Sequence, residues 1–159
     1  MKTIIIYYSK YGFTKGCAEY LKENIKGDVD LFSINDFKEQ NLNDYDNIII
    51  GTAVYMGMIN GKIKEFLNNN KDVLKDKKTS LFVCSGVKDN FELYLKQNLD
   101  EDIVNNLYYK DHFGGELKME KLSFIDKMIA KMASKAHEGS EEPSLLKQNI
   151  DKFVDEINK

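Results

Sequence analysis

Proline is nearly missing from this chain: Pro143 is the one proline in 159 residues. No stretch rich in proline or glycine divides it, and no internal repeat is present, so a single domain is expected over residues 1–159. Cysteine and histidine are equally scarce. Cys17 and Cys84 form no CxxC pair and join no Cys/His cluster. Neither a zinc site nor a disulfide framework is indicated, no metal is expected, and both thiols read as buried residues in a reducing cytoplasm. His112 and His137 lack a Ser, Cys or carboxylate at a useful spacing, which argues against a nucleophilic triad. The carboxylates are scattered over the helices, so the two-carboxylate logic of glycosidases has no focus. An excess of positive charge is also absent. Lys and Arg number 23 against 26 Asp and Glu, a net charge of −3, which excludes nucleic acid as a main partner. No run approaches the roughly 20 apolar residues of a membrane span. The apolar stretch near the start is too short for a signal-peptide core and carries no cleavage pattern, so a cytoplasmic location is expected.

What is present is alternation. Short β-branched runs at 3–8, 28–34, 47–51 and 79–84 predict strands, and a fifth lies within 107–117. Between them, residues 13–25, 60–74, 91–99 and 145–157 carry apolar positions at helical spacing. Residues 36–42 form a short helix or loop, and Pro143 suits the opening of the last helix. Crossovers of this length imply parallel strands with helices on both faces, an α/β doubly wound sheet.

In such sheets ligands bind beyond the carboxyl ends of the strands, which directs attention to three loops. After the first strand comes Ser9-Lys10-Tyr11-Gly12-Phe13-Thr14-Lys15. It leads straight into a helix, so its backbone N–H groups and the helix's positive end face any anion held there. The loop has no GxxxxGK[ST] and no GxGxxG, which argues against a nucleoside triphosphate or a dinucleotide. An ordinary turn with Thr14 as a cap explains it equally well. After the third strand comes Thr52-Ala53-Val54-Tyr55-Met56-Gly57, where Tyr offers a flat apolar face with a polar edge and Gly a pliable peptide. After the fourth comes Ser85-Gly86-Val87-Lys88, whose short side chains admit a close ligand.

Taken together, the loops resemble those of the flavodoxin family, whose Thr/Ser-x-Thr-Gly-Asn-Thr loop grips the phosphate of flavin mononucleotide (FMN). Ser9, Gly12 and Thr14 match, while Tyr11 and Phe13 depart, leaving fewer hydroxyls for the phosphate; Lys15 is a candidate to compensate. The resemblance implies a five-stranded parallel sheet in the order 2-1-3-4-5. It also implies that Tyr55 packs on the flavin ring, that Gly57 lies near its N5 atom, and that Ser85 and Gly86 line its far edge. No aromatic stands in the third loop before Phe91, so one ring face is expected to be open. Lys88, if turned inward, would favour an anionic reduced flavin.

Residues 118–142 exceed what a minimal flavodoxin needs. Leu122, Ile125, Met128, Ile129 and Met132 recur at helical spacing. From Lys118 to Lys135 five lysines stand against Glu120 and Asp126, a local excess of three positive charges. Two readings stay open: peripheral contact with the inner face of a membrane through 121–135, or packing on its own domain or a second subunit. Gly114-Gly115-Glu116-Leu117 and the segment from Phe124 resemble the branch of flavodoxin domains that includes quinone-linked protoporphyrinogen dehydrogenases. That resemblance implies oxidation of protoporphyrinogen IX with electrons passed to a quinone. The alternative is a one-electron FMN carrier that docks on redox partner proteins. A phosphate-sensing receiver domain would need carboxylates after the first strand, where Tyr8-Ser9-Lys10 stands instead.

Overall fold

The apolar runs are continuous because both faces of the sheet are covered. The computed structural model describes residues 1–38, 40–86, 88–115 and 145–159. In chain order the first half comprises β1 (Lys2–Tyr7), α1 (Phe13–Asn24), β2 (Asp28–Ser33), β3 (Asn47–Tyr55), β4 (Met58–Ile59) and α2 (Gly61–Asn69). The second comprises α3 (Lys71–Lys75), β5 (Lys78–Cys84), α4 (Phe91–Asn98), α5 (Glu101–Asn105), β6 (Tyr109–His112) and α6 (Lys147–Ile157).

The parallel strands run in the order β2-β1-β3-β5-β6, the expected order once the short β4 is set aside. Alternate residues of each strand serve opposite faces. Ile4, Ile6, Ile48, Ile50, Leu81 and Val83 pack with Ile63, Phe66, Leu67, Leu74, Leu95 and Ile103 from α2 to α5. Ile5, Tyr7, Ile49, Phe82 and Cys84 pack on the other face with α1 and α6. Helix α1 meets the sheet through Thr14, Cys17, Ala18 and Leu21, one stripe at helical spacing. On its outer side Tyr20 donates to Asp151 of α6 at 2.9 Å, and Lys147 donates to both, at 2.7 and 2.6 Å.

Three boundaries differ from the sequence reading. β3 runs past Gly51 to Tyr55, because Thr52 and Ala53 continue the ladder to Val83 and Cys84. β4 then folds back antiparallel, pairing Val54 with Ile59 and Tyr55 with Met58, so much of the expected second loop is a hairpin. The helix expected over 60–74 breaks at Asn70 (φ −114°, ψ 14°), where α2 ends and α3 begins. The short α5 carries a single buried residue, Ile103, too little for a periodic signal. Residues 118–142, Val87, Glu116, Leu117, His137 and Pro143 lie outside the described residues. Among the described residues no helix is long and apolar enough to cross a membrane.

Gly51 faces the aromatic layer. A Cβ there would stand 2.2 Å from Phe82 Cζ, and the Phe82 ring stacks on Phe113 at 4.6 Å. Gly51→Ala is therefore expected to cost about 1–3 kcal/mol by overpacking, read as a lower urea midpoint.

Tyr45 ties the segment before β3 to β2: its hydroxyl donates to Asp30 Oδ2 at 2.8 Å. Burial, and then the Asp30 carboxylate, push its pKa up from 10.0 to about 12. The neutral phenol is thus favoured in the folded state. Its contribution to stability is complete below pH 10 and is lost as the pH rises through 12. Tyr45→Phe should lose less stability than the wild type over that interval in urea titrations at each pH.

Candidate functional site

The sheet order reverses between β1 and β3, and the chain leaves both strands into one crevice. Tyr8 marks the exit from β1, its N–H donating to the Gly51 carbonyl at 2.9 Å. Ser9 Oγ accepts from the Gly12 N–H at 3.0 Å and closes the loop. Gly12 caps α1 in the left-handed region (φ 91°), which glycine adopts without strain. No side chain caps this helix end. The first N–H groups of a helix have no partner within it, so Phe13, Thr14 and Lys15 present theirs outward. A Cβ on Gly12 would meet no atom within 4 Å, so the space beside the helix end is open.

One pocket gathers all three loops. Tyr8, Ser9, Lys10, Tyr11, Phe13 and Thr14 line it from the first, Ala53, Val54 and Tyr55 from β3, and Cys84, Ser85 and Gly86 from β5, with Gly115 beside them. The Lys10 ammonium lies over the Tyr55 ring, 3.7 Å from its centroid, and 5.1 Å from that of Tyr11. Lys15 turns instead to Glu19, 3.7 Å away along the surface of α1. Thr52 is fully buried under the strand, its hydroxyl donating to the Ala53 carbonyl at 3.2 Å. Met56 and Gly57 sit at the hairpin tip beside the pocket, not in its wall. Lys88 opens a single 3-10 turn, Lys88–Asn90, directly after this wall.

That tip carries strain. Met56 has φ 50° and Gly57 φ 74°, the positive pair that a two-residue type I′ hairpin requires. Met56 bears the cost of a left-handed non-glycine residue, of order 1–2 kcal/mol. Asn98 of α4 holds the hairpin in place. Its Oδ1 accepts from Ile59 N–H at 2.9 Å, and its Nδ2 donates to the Gly57 and Tyr94 carbonyls, each at 2.9 Å.

Three contributors, Tyr8, His112 and Gly115, escaped the sequence reading, while Cys84 heads the third loop. Tyr8 looked like the last core residue of a strand. His112 ends β6, buried, with Nε2 2.8 Å from Ser85 Oγ; it fixes the third wall from behind, and its carbonyl accepts from Asn149 Nδ2 at 2.8 Å. Gly115 packs so close that a Cβ would come within 2.7 Å of the Ser85 carbonyl carbon. A Gly-Gly pair after a strand was the available signal for such an approach. Cys84 forms the floor. Burial first, then a hydrogen bond to Cys17, push its thiol well above the ordinary range, against a smaller lowering by Thr14.

The donors beside the helix end suit a phosphate, Tyr55 gives a flat aromatic wall, and the small residues opposite admit a ring edge. The comparisons agree with this layout. A family model described as a flavodoxin domain matches residues 4–144, so the chain belongs to the flavodoxin-domain family. FMN is the cofactor that this membership brings to the site. No curated protein matches the chain. Among solved structures, an NADH:FMN oxidoreductase in its apo form aligns with a TM-score of 0.55 at 16% identity, covering 96% of this chain and 88% of that one. The two-electron-reduced flavodoxin of Megasphaera elsdenii aligns with a TM-score of 0.52 at 18% identity, covering 69% and 84%. At these identities the likeness concerns the fold.

Asn98→Ala removes the side-chain hold on the hairpin. A loss of about 1–3 kcal/mol is expected, together with faster hydrogen exchange at the Ile59 amide, while amides of β1 slow or speed only with global stability.

Proposed function

We propose that this chain is an FMN-dependent redox protein that acts on a small molecule at the open end of its pocket. The observation that carries the reading is the convergence of an uncapped helix N-terminus, an aromatic wall and a wall of small residues on one crevice. Ser9, Thr14 and the first N–H groups of α1 would hold the phosphate, with Gly12 allowing the close approach. Tyr55 would lie against the ring, and Ala53, Ser85 and Gly86 would line its edge. When bound, FMN supplies the electron-accepting chemistry; the chain's own part is position, exclusion of water and charge.

Among the described residues the β5 side contributes Cys84, Ser85 and Gly86 to the lining and no aromatic. A flat substrate would therefore find that side of the ring uncovered, which favours a dehydrogenase over a carrier shielded for docking on proteins. Oxidation of protoporphyrinogen, with electrons passed on to a quinone, is the specific reaction we assign. Its support is the resemblance around Gly114 and Gly115, and the planar substrate suits an uncovered face.

Two assays test this. Fluorescence titration should show one FMN bound per chain, with riboflavin, which lacks the phosphate, bound at least about tenfold more weakly, a difference of roughly 1.4 kcal/mol. Equal affinity for the two would remove the phosphate role of the α1 loop, and no binding of either would end the reading. The loaded protein should then convert protoporphyrinogen to fluorescent porphyrin under anaerobic conditions only when a quinone is supplied. Failure of that step alone would leave an FMN protein with another substrate.

A further inference from the structure

Behind the third wall of the pocket stands a histidine that reaches the wall through one side chain. Ser85 and His112 are both buried, at 7% and 4% exposure. Nε2 of the imidazole lies 2.8 Å from the Ser85 hydroxyl oxygen. The strand ladder does not demand this bond. It sets His112 beside Val83, and the imidazole reaches two residues further, to the pocket wall. The backbones of both partners are fixed independently. Ser85 N–H donates to the Gly114 carbonyl at 2.9 Å. His112 N–H donates to Asp111 Oδ1 at 2.8 Å, and the His112 carbonyl accepts from Asn149 Nδ2 at 2.8 Å. The Phe91 ring lies 6.0 Å from the imidazole, centre to centre.

A hydroxyl offers one proton and two lone pairs, so Ser85 can meet the imidazole and a ligand at once. The bond forms with either imidazole tautomer: the hydroxyl donates to Nε2, or Nε2–H donates to Oγ. In both cases rotation of the hydroxyl is restricted, and its remaining capacity has a set direction. A group that is already ordered gives up less freedom when a ligand binds. Ser85 lines the pocket, on the side assigned to the edge of the flavin ring. The pyrimidine edge of a flavin carries carbonyl oxygens and an N–H, which suit a hydroxyl as donor or as acceptor. We propose that His112 is a positioning residue for the cofactor, acting through Ser85 on the polar edge of the flavin ring. The phosphate, held at the other end of the pocket by the α1 loop, is not involved. The proposal rests on the FMN reading above and names the group that orients one of its contacts.

The experiment compares wild type, Ser85→Ala, His112→Leu, His112→Gln and the double variant Ser85→Ala with His112→Leu. Fluorescence titration gives the affinity of each for FMN and for riboflavin. Ser85→Ala should weaken FMN binding about fivefold, and His112→Leu about threefold. The double variant should bind no more weakly than Ser85→Ala alone, because His112 acts through a hydroxyl already removed. His112→Gln, whose side-chain amide can also bond Ser85, should recover most of the loss. Riboflavin should lose by the same factors as FMN. If the two single effects multiply in the double variant, His112 supports the wall by packing alone and the proposal fails. It fails also if His112→Leu binds as the wild type does, if His112→Gln behaves as His112→Leu, or if the losses are confined to FMN. In each of these outcomes the FMN reading survives. If the wild type binds no FMN, both fall. Urea midpoints of the five proteins separate any change in folding from these outcomes.

Discussion

The site depends on β1 being paired on both sides. Its residues Thr3 to Tyr7 lie in register with β2 on one side and β3 on the other, and its apolar side chains are buried on both faces. A strand so enclosed can release its chain only at an end. The carboxyl end opens where helices α1 and α2 diverge to opposite faces. Backbone donors that the sheet cannot use are therefore delivered to one place, at the start of α1, and the pocket forms around them. An aromatic cluster on one face serves the same end. Phe82, Phe113 and Phe153 fill the α6 side, which holds β5 and β6 rigid up to Ser85 and His112.

Charge in the site is placed with economy. The helix end offers partial positive charge at fixed N–H groups, and Lys10 adds a whole charge a short distance away, over an aromatic face. Lys15 turns away, to Glu19 on the outer surface of α1. The exposed ion pairs, such as Lys75 with Asp72 on α3 and Lys110 of β6 with Glu92 of α4, contribute little to stability and do not line the crevice.

Much of this was legible in the sequence because it follows from short-range periodicity. Ile4-Ile5-Ile6 and Ile48-Ile49-Ile50 are continuous runs, which only a strand buried on both faces explains. The α1 stripe at Thr14, Cys17, Ala18 and Leu21 repeats at helical spacing. The loops followed, since parallel topology fixes which strand ends meet. What escaped depends on contacts between distant residues. The β3–β4 hairpin needs Met56 in a left-handed conformation, which local preference opposes, and it is held by Asn98 some forty positions later. That Lys10 lines the pocket and meets Tyr55, while Lys15 does not, shows only once β1 and β3 are paired. His112 behind Ser85 is likewise invisible until β5 and β6 are paired.

Cys84 and Cys17 place two sulfurs side by side beneath an electron-handling crevice, an arrangement that could act as a short circuit. Thiol exchange proceeds through the thiolate, and burial keeps the Cys84 proton in place far into the alkaline range. Beneath the pocket Cys84 is therefore held as a thiol rather than a nucleophile.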